Sequence, residues 1–207
     1  MKLILPVAGR SSRYPGTRPK WLLTMPNGQL MIERSLSGIN LEKISEIVLI
    51  MLEEHKKYIK AETLSNSIKK ICRNIPVEVF ILEEFTVSQP STISKYLKSK
   101  KSEFKFFIKD SDNYFEFNPT PGNNVAYIQL GKVDLVAAGE KSYISKNNFD
   151  EIEQIAEKKV ISDIFCCGGY GFNSSRKFLD TYEMLGGDTN SDLYISHIIQ
   201  KNLLDGY

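Results

Sequence analysis

Residues 8–20 read AGRSSRYPGTRPK. Arg10, Arg13, Arg18 and Lys20 crowd Gly9 and two serines there, a composition suited to meeting an anion. A glycine after an apolar run lets the backbone turn where other residues resist. The amides of Ala8, Gly9, Ser11 and Ser12 can then point at phosphate oxygens, and the cations add charge-assisted contacts. The alternative is a solvated basic loop, the ordinary fate of a charge run. Neither GxGxxG nor GxxxxGK[ST] occurs. Asp110-Ser111-Asp112-Asn113 follows a second apolar run; its carboxylate oxygens suit Mg2+, while the same residues also favour an Asx turn. Gln89 carries an amide that both donates and accepts, as reading a pyrimidine edge requires, or it simply starts a helix. Glu157-Lys158 is a charged pair with the reading of a turn between strands, and Gly168-Gly169 permits close backbone approach.

The elements that must position these groups come in two rhythms. LILPV (3–7), EIVLIML (46–52), VEVFIL (77–82) and FKFFI (104–108) read as strands. Between them lie helical patterns at 29–39, 53–71 and 91–99, the second with an inner stripe of Tyr58, Ile59, Leu64, Ile68 and Ile71. Strands alternating with helices predict a Rossmann-like, mostly parallel sheet with helices on both faces. After the turn-rich NPTPGNN (118–124), the runs at 125–130, 133–145, 152–157 and 163–172 predict antiparallel strands. Two closing helices follow at 174–185 and 191–204, with Ser174 and Ser191 as N-caps. The expectation is an α/β fold in one domain over 1–207, a nucleotide-binding half (1–117) before an acceptor-binding half (118–207).

Bulk properties narrow the class. The chain has 207 residues, 42% of them hydrophobic and 25% charged, which allows one substantial core. A net charge of only +2 gives no general attraction to nucleic acid or membrane surfaces, so any anion affinity is local. MKLILPV is too short an apolar run for a signal peptide or a spanning helix. Three cysteines, two of them adjacent, predict buried thiols in a reducing, cytoplasmic setting. His55 and His197 have no ligands at zinc spacing beside them and read as helical and peripheral. Cys166 and Cys167 read as strand residues facing opposite ways, and Trp21 as a core or loop anchor.

The arrangement of strand, Ala8-Gly9-Arg10-Ser11-Ser12-Arg13 and Pro19-Lys20-Trp21-Leu22 resembles the nucleotidyltransferases that join a nucleoside triphosphate to a sugar phosphate or similar small phosphate. EFTVSQPSTISKYL (84–97) resembles their base-recognising segment and FKFFIKDSDNYF (104–115) their metal-carboxylate strand. IEQIAEKKVIS (152–162) resembles their EKP loop, and FCCGGYGFNSSRKFLDTY (165–182) their Gly-x-Tyr-x-Phe strand and helix. The resemblance implies that Arg13 meets the β- and γ-phosphates, Lys20 the α-phosphate, and Gln89 the base. It implies Asp112 as the Mg2+ ligand with Asp110 beside it, and Glu157, Lys158, Gly168 and Gly169 around the acceptor. It also implies a cytoplasmic enzyme making activated precursors of surface polysaccharide, and leaves a homo-oligomer open. The seven-residue step from Arg13 to Lys20 leans toward cytidylyltransferases and the GGYGF stretch toward sugar-1-phosphate enzymes, so CTP, UTP and dTTP all stay open.

Two departures from that pattern matter. Ser11 replaces the family's second loop glycine. Relatives carry a further metal-binding Asp on a strand after the last helix, whereas this sequence stops at Gly206-Tyr207. The chain is then shortened, or Asp110 or Asp192 substitutes, or Asp112 and phosphates alone hold the metal. Asp110-Ser111-Asp112 is also a DxD, as in metal-dependent glycosyltransferases, and a non-catalytic nucleotide-binding relative is the remaining alternative.

Overall fold

The computed structural model describes residues 1–9, 16–132 and 137–207. Four strands, β1 (Lys2–Pro6), β2 (Glu46–Leu52), β3 (Val77–Leu82) and β4 (Phe106–Lys109), lie parallel in the order β3-β2-β1-β4. Leu3 stands beside Ile47 on one side and Phe107 on the other. Strands buried on both faces need unbroken apolar runs, and β1 and β2 supply them. Because successive side chains alternate, Ile4, Val48, Ile50 and Ile108 enter one core while Leu3, Leu5, Leu49 and Phe107 enter the other.

Helices cover both faces. α1 (Met31–Leu36) and α2 (Ala61–Ile71) close the second core through Ile32, Leu36, Leu64 and Ile68. α3 (Gln89–Lys98), α4 (Ser175–Met184) and α5 (Ile195–Leu204) close the first through Ile93, Tyr96, Phe178 and Ile198. The later strands β5 (Asn124–Gln129), β6 (Ser142–Lys146), β7 (Ile152–Glu157) and β8 (Ile164–Phe172) are antiparallel. β8 joins them to the parallel half by pairing with β4, Phe106 opposite Phe172. The rings of Phe106 and Phe172 stack at 5.2 Å, and Phe178 of α4 meets both edge-on. The result is an α/β fold with a mixed sheet, as the strand pattern predicts.

Several local expectations need correction. The pattern over 53–71 is not one helix: Glu53–Lys57 forms a 3-10 turn, and α2 starts afresh at Ala61. Leu64 and Ile68 are buried as read, but Tyr58, in the break before α2, and Ile71, its last residue, are exposed. His55 is buried rather than peripheral, its ring 5.7 Å from the buried Trp21. Ser174 caps α4 by accepting from the Lys177 amide. Ser191 caps nothing: α5 begins at Ile195, where the Tyr194 amide donates to His197 Nδ1. The strand read over 133–145 starts at Ser142; residues 133–136 lie outside the described residues. Among the described residues, no helix is long and apolar enough to cross a membrane.

Candidate active site

The chain passes from β1 outward to β2 and β3, then returns to β4 on the other side of β1. The segments after β1 and β4 therefore diverge at a topological switch point, where open α/β sheets leave a crevice beyond the strand ends. Both chemically suggestive segments leave from there. After β1, Ala8 is buried against the core, and Gly9 is exposed with open space where a Cβ would stand. The left-handed backbone belongs to Gly16 (φ 78°), not to Gly9. The missing side chain at Gly9 thus leaves the backbone open rather than permitting an unusual turn. Arg10, Ser11, Ser12 and Arg13 lie outside the described residues. Arg18 reaches back to the Leu22 carbonyl at 3.4 Å. Lys20 opens a 3-10 turn whose next two residues, Trp21 and Leu22, are buried.

After β4 the chain turns through Asp110–Asn113, and Lys20 Nζ meets Asp112 Oδ2 at 2.8 Å. Two groups 92 residues apart in sequence thus share the crevice. Gln89, the first residue of α3, donates its amide to Asp110 Oδ1 at 2.7 Å, so helix start and site residue coincide. Burial raises Asp110 to about 6, against the lowering effect of the Gln89 bond. Lys109, buried at the end of β4, is pushed by burial down to about 8.

A cavity of about 1010 Å³ runs from this crevice across the antiparallel half. Lys20, Gln89, Asp110, Asp112 and Gly168 line it at the crevice, and Glu157 and Lys158 line it among the antiparallel strands. Glu157 closes β7, where its Oε2 accepts from Ser142 of β6 and, at 2.5 Å, from Ser196 of α5. Lys158 follows with a positive φ of 54° and donates to the Tyr194 hydroxyl, so α5 holds this charged turn in place. Gly168 sits where β8 slips register against β5, with φ 85°. A Cβ there would overlap the Asp110 carboxylate and the Asn113 amide. Gly169, by contrast, is outside the cavity lining: a Cβ would meet Phe107 at 2.8 Å and Ala126 at 2.9 Å. Its lack of a side chain serves packing between β4 and β5. Asp192 is exposed and also outside the lining.

The donor set fits a small hard cation. Asp110 and Asp112 offer carboxylate oxygens from one turn, and Mg2+ takes only one or two from protein, completing its shell from phosphate and water. Among the described residues, no group of three or more His, Cys, Asp or Glu side chains is gathered for a metal. Cys166 and Cys167 face opposite cores, and burial raises Cys167 to about 11, which keeps it a thiol.

Sequence reasoning missed Lys109, Ser142, Tyr194 and Ser196, and named Asn113 only within the Asp110–Asn113 segment. The signal for Lys109 was available, a lysine closing the buried run Phe106-Phe107-Ile108. The serines gave none, since their partner Glu157 is distant in sequence.

No family model matches the sequence, and no curated protein is detectably similar to it. Solved structures are similar in fold. A nucleoside-diphosphate-sugar pyrophosphorylase from Vibrio cholerae matches with a TM-score of 0.78 at 20% identity, over 99% of this chain and 88% of the other. The inositol-1-phosphate CTP transferase from T. maritima matches at 0.74 and 16% identity, over 99% and 82%. A UDP-glucose pyrophosphorylase complexed with UDP-glucose matches at 0.69 and 15%, over 99% and 87%. The chain therefore shares nearly its whole fold with sugar-phosphate nucleotidyltransferases.

Proposed function

We propose that this protein is a nucleotidyltransferase that joins a nucleoside triphosphate (CTP, UTP or dTTP) to a sugar phosphate or other small phosphate. A phosphate oxygen of the acceptor attacks the α-phosphorus, the bond from that phosphorus to the bridging oxygen breaks, and pyrophosphate leaves. The nucleophile is already an anion, so positioning and charge compensation carry the rate rather than proton transfer. The observation that carries this reading is the meeting of Lys20 and Asp112 at the switch-point crevice, in a cavity that continues to Glu157 and Lys158.

In this reading Lys20 compensates charge at the α-phosphate and Arg13, with Arg10, Ser11 and Ser12, cradles the rest of the triphosphate. Ala8 and Gly9 give the nucleoside an open backbone, and Gln89 meets the base or orients Asp110. Mg2+ held by Asp112 and Asp110 would supply charge neutralisation to the phosphates when bound. Glu157 and Lys158 form the acceptor end, and Gly168 borders it against Asp110. The neighbours' named activities support a nucleotide-activated sugar as product; its use for surface polysaccharide and a cytoplasmic place of action extend that reading from the sequence resemblance alone.

The test is pyrophosphate release with Mg2+, each nucleoside triphosphate being set against a panel of sugar 1-phosphates and other small phosphates. Release that depends on one particular pair supports the reading and names base and acceptor together. A thermal shift with a nucleotide but no release with any acceptor points to a binding relative. Consumption of nucleotide-sugars without pyrophosphate release would move the chain to the glycosyltransferase reading of Asp110-Ser111-Asp112.

A further inference from the structure

Lys109 has no exposed surface, and an ammonium withdrawn from water is costly unless its donors are used. Among the described residues its hydrogen-bond partners are neutral oxygens: the Asp110 carbonyl at 2.6 Å, the Asn113 carbonyl at 3.0 Å and Asn113 Oδ1. The ring of Phe115 lies 4.3 Å beneath the charge. All three acceptors belong to the residues that bracket Ser111 and Asp112. The ammonium therefore ties the two ends of that turn together. The same turn is lashed to the irregular stretch of β8, since the Asp110 amide donates to the Gly168 carbonyl at 2.8 Å and Asn113 Nδ2 donates to the Cys167 carbonyl at 2.7 Å. With both ends fixed, the Asp112 side chain stands in the cavity, paired with Lys20.

Strand packing alone does not call for a lysine here. A methionine would fill the same space and avoid burying a charge, but it would leave three oxygens without their donor. We propose that Lys109 is a positioning residue for the reaction proposed above: its buried ammonium acts as a built-in cation that sets the Asp110–Asn113 turn and so the place of the Asp112 carboxylate. The inference rests on the proposed function for its kinetic consequence, but not for its geometric one.

The experiment compares wild type with Lys109→Met, and with Asn113→Ala as a second, less invasive break in the same clasp. Steady-state kinetics would be measured at saturating acceptor, with Mg2+ varied and then nucleotide varied. Hydrogen exchange would be followed by mass spectrometry on peptides covering Asp110–Asn113 and, as a control, β2. A small misplacement of a charged group costs about ten- to a hundredfold in rate, so kcat should fall by that factor while nucleotide KM stays within about twofold. The Mg2+ concentration for half-maximal rate should rise, and exchange should quicken at Asp110–Asn113 but not in β2. A folded variant with unchanged kcat and Mg2+ dependence would overturn the proposal, as would a loss of active fraction with unaltered constants. If Lys109→Met does not fold, Asn113→Ala decides by the same readouts. Should wild type release no pyrophosphate with any pair, the functional reading fails, and the exchange data decide Lys109 alone: unchanged protection at Asp110–Asn113 in the variant overturns it.

Discussion

At the scale of single residues, the opening loop delivers one described side chain to the crevice, and Lys20 is that side chain. Its ion pair with Asp112 is solvent-facing, 36% and 44% exposed on the two sides. Such pairs contribute about 0–1 kcal/mol to stability, because water screens them and two long side chains lose freedom. The same ammonium beside a reacting phosphate acts where water is displaced and charge is redistributed, where one donor commonly accounts for about a hundredfold or more in rate. Lys20→Ala is therefore expected to lower pyrophosphate release by at least about a hundredfold. Its melting temperature should barely move. Near-wild-type turnover in that variant would remove Lys20 from the mechanism. A collapse in melting temperature would show the pair to be structural. Lys20 and Asp112 were legible as separate anion-meeting and cation-meeting groups, since Lys20 closes a basic loop and Asp112 stands just past the run Phe106-Phe107-Ile108. Their contact was not legible, because nothing in a linear pattern says which strand neighbours which.

At the scale of elements, the parallel strands were the most readable part, since burial on both faces demands runs that little else produces. The turn over Glu53–Lys57 was the least readable. It contains no glycine or proline to punctuate it, and its charges continue those of α2. The hidden feature there is His55, whose ring goes inward against Trp21 of the turn carrying Lys20. Among the described residues neither His55 Nδ1 nor Trp21 Nε1 has a hydrogen-bond partner, so this packing holds polar atoms at a cost. Burial lowers His55 below its ordinary 6.5; Glu54, 4.0 Å away, opposes that shift and Lys57 adds to it. The folded state thus keeps the ring neutral, while the unfolded chain takes up a proton near 6.5. Stability from this group is whole above that pH and is lost as the pH falls below it, because the unfolded state then binds more protons. Melting temperature should accordingly drop between about pH 7 and pH 5 more in wild type than in His55→Phe, which cannot titrate. Parallel pH profiles for the two proteins would discard His55 as a source of acid sensitivity.

At the scale of the whole molecule, the two halves distinguished by strand pattern are joined through shared material rather than a linker. β8 pairs with β4 over Gly169–Phe172 on one edge, with β5 on the other, and with β6 at Phe165. One core contains Ile4 and Val48 from the first half together with Tyr170, Phe178 and Ile198 from the second. The cavity draws on both: Asp112 leaves β4, Gly168 lies in β8, and the two touch through the Asp110–Asn113 turn. A site divided between separately unfolding halves would lose its geometry whenever either opened, so this construction predicts a single cooperative unit. Three probes fall on different sides of the join. Trp21 and Cys72 belong to the first half and Cys166 to β8, and all three are buried. In a urea titration, Trp21 fluorescence and thiol labelling at Cys72 and Cys166, resolved by peptide mass, should share one midpoint. Phe106→Ala removes the ring that stacks on Phe172 and meets Phe178 across the join. That truncation should cost about 3–5 kcal/mol and move the three midpoints down together. If Cys166 became reactive at a lower urea concentration than Cys72, the second half would open alone. Binding of the acceptor would then have to assemble its end of the cavity at each turnover.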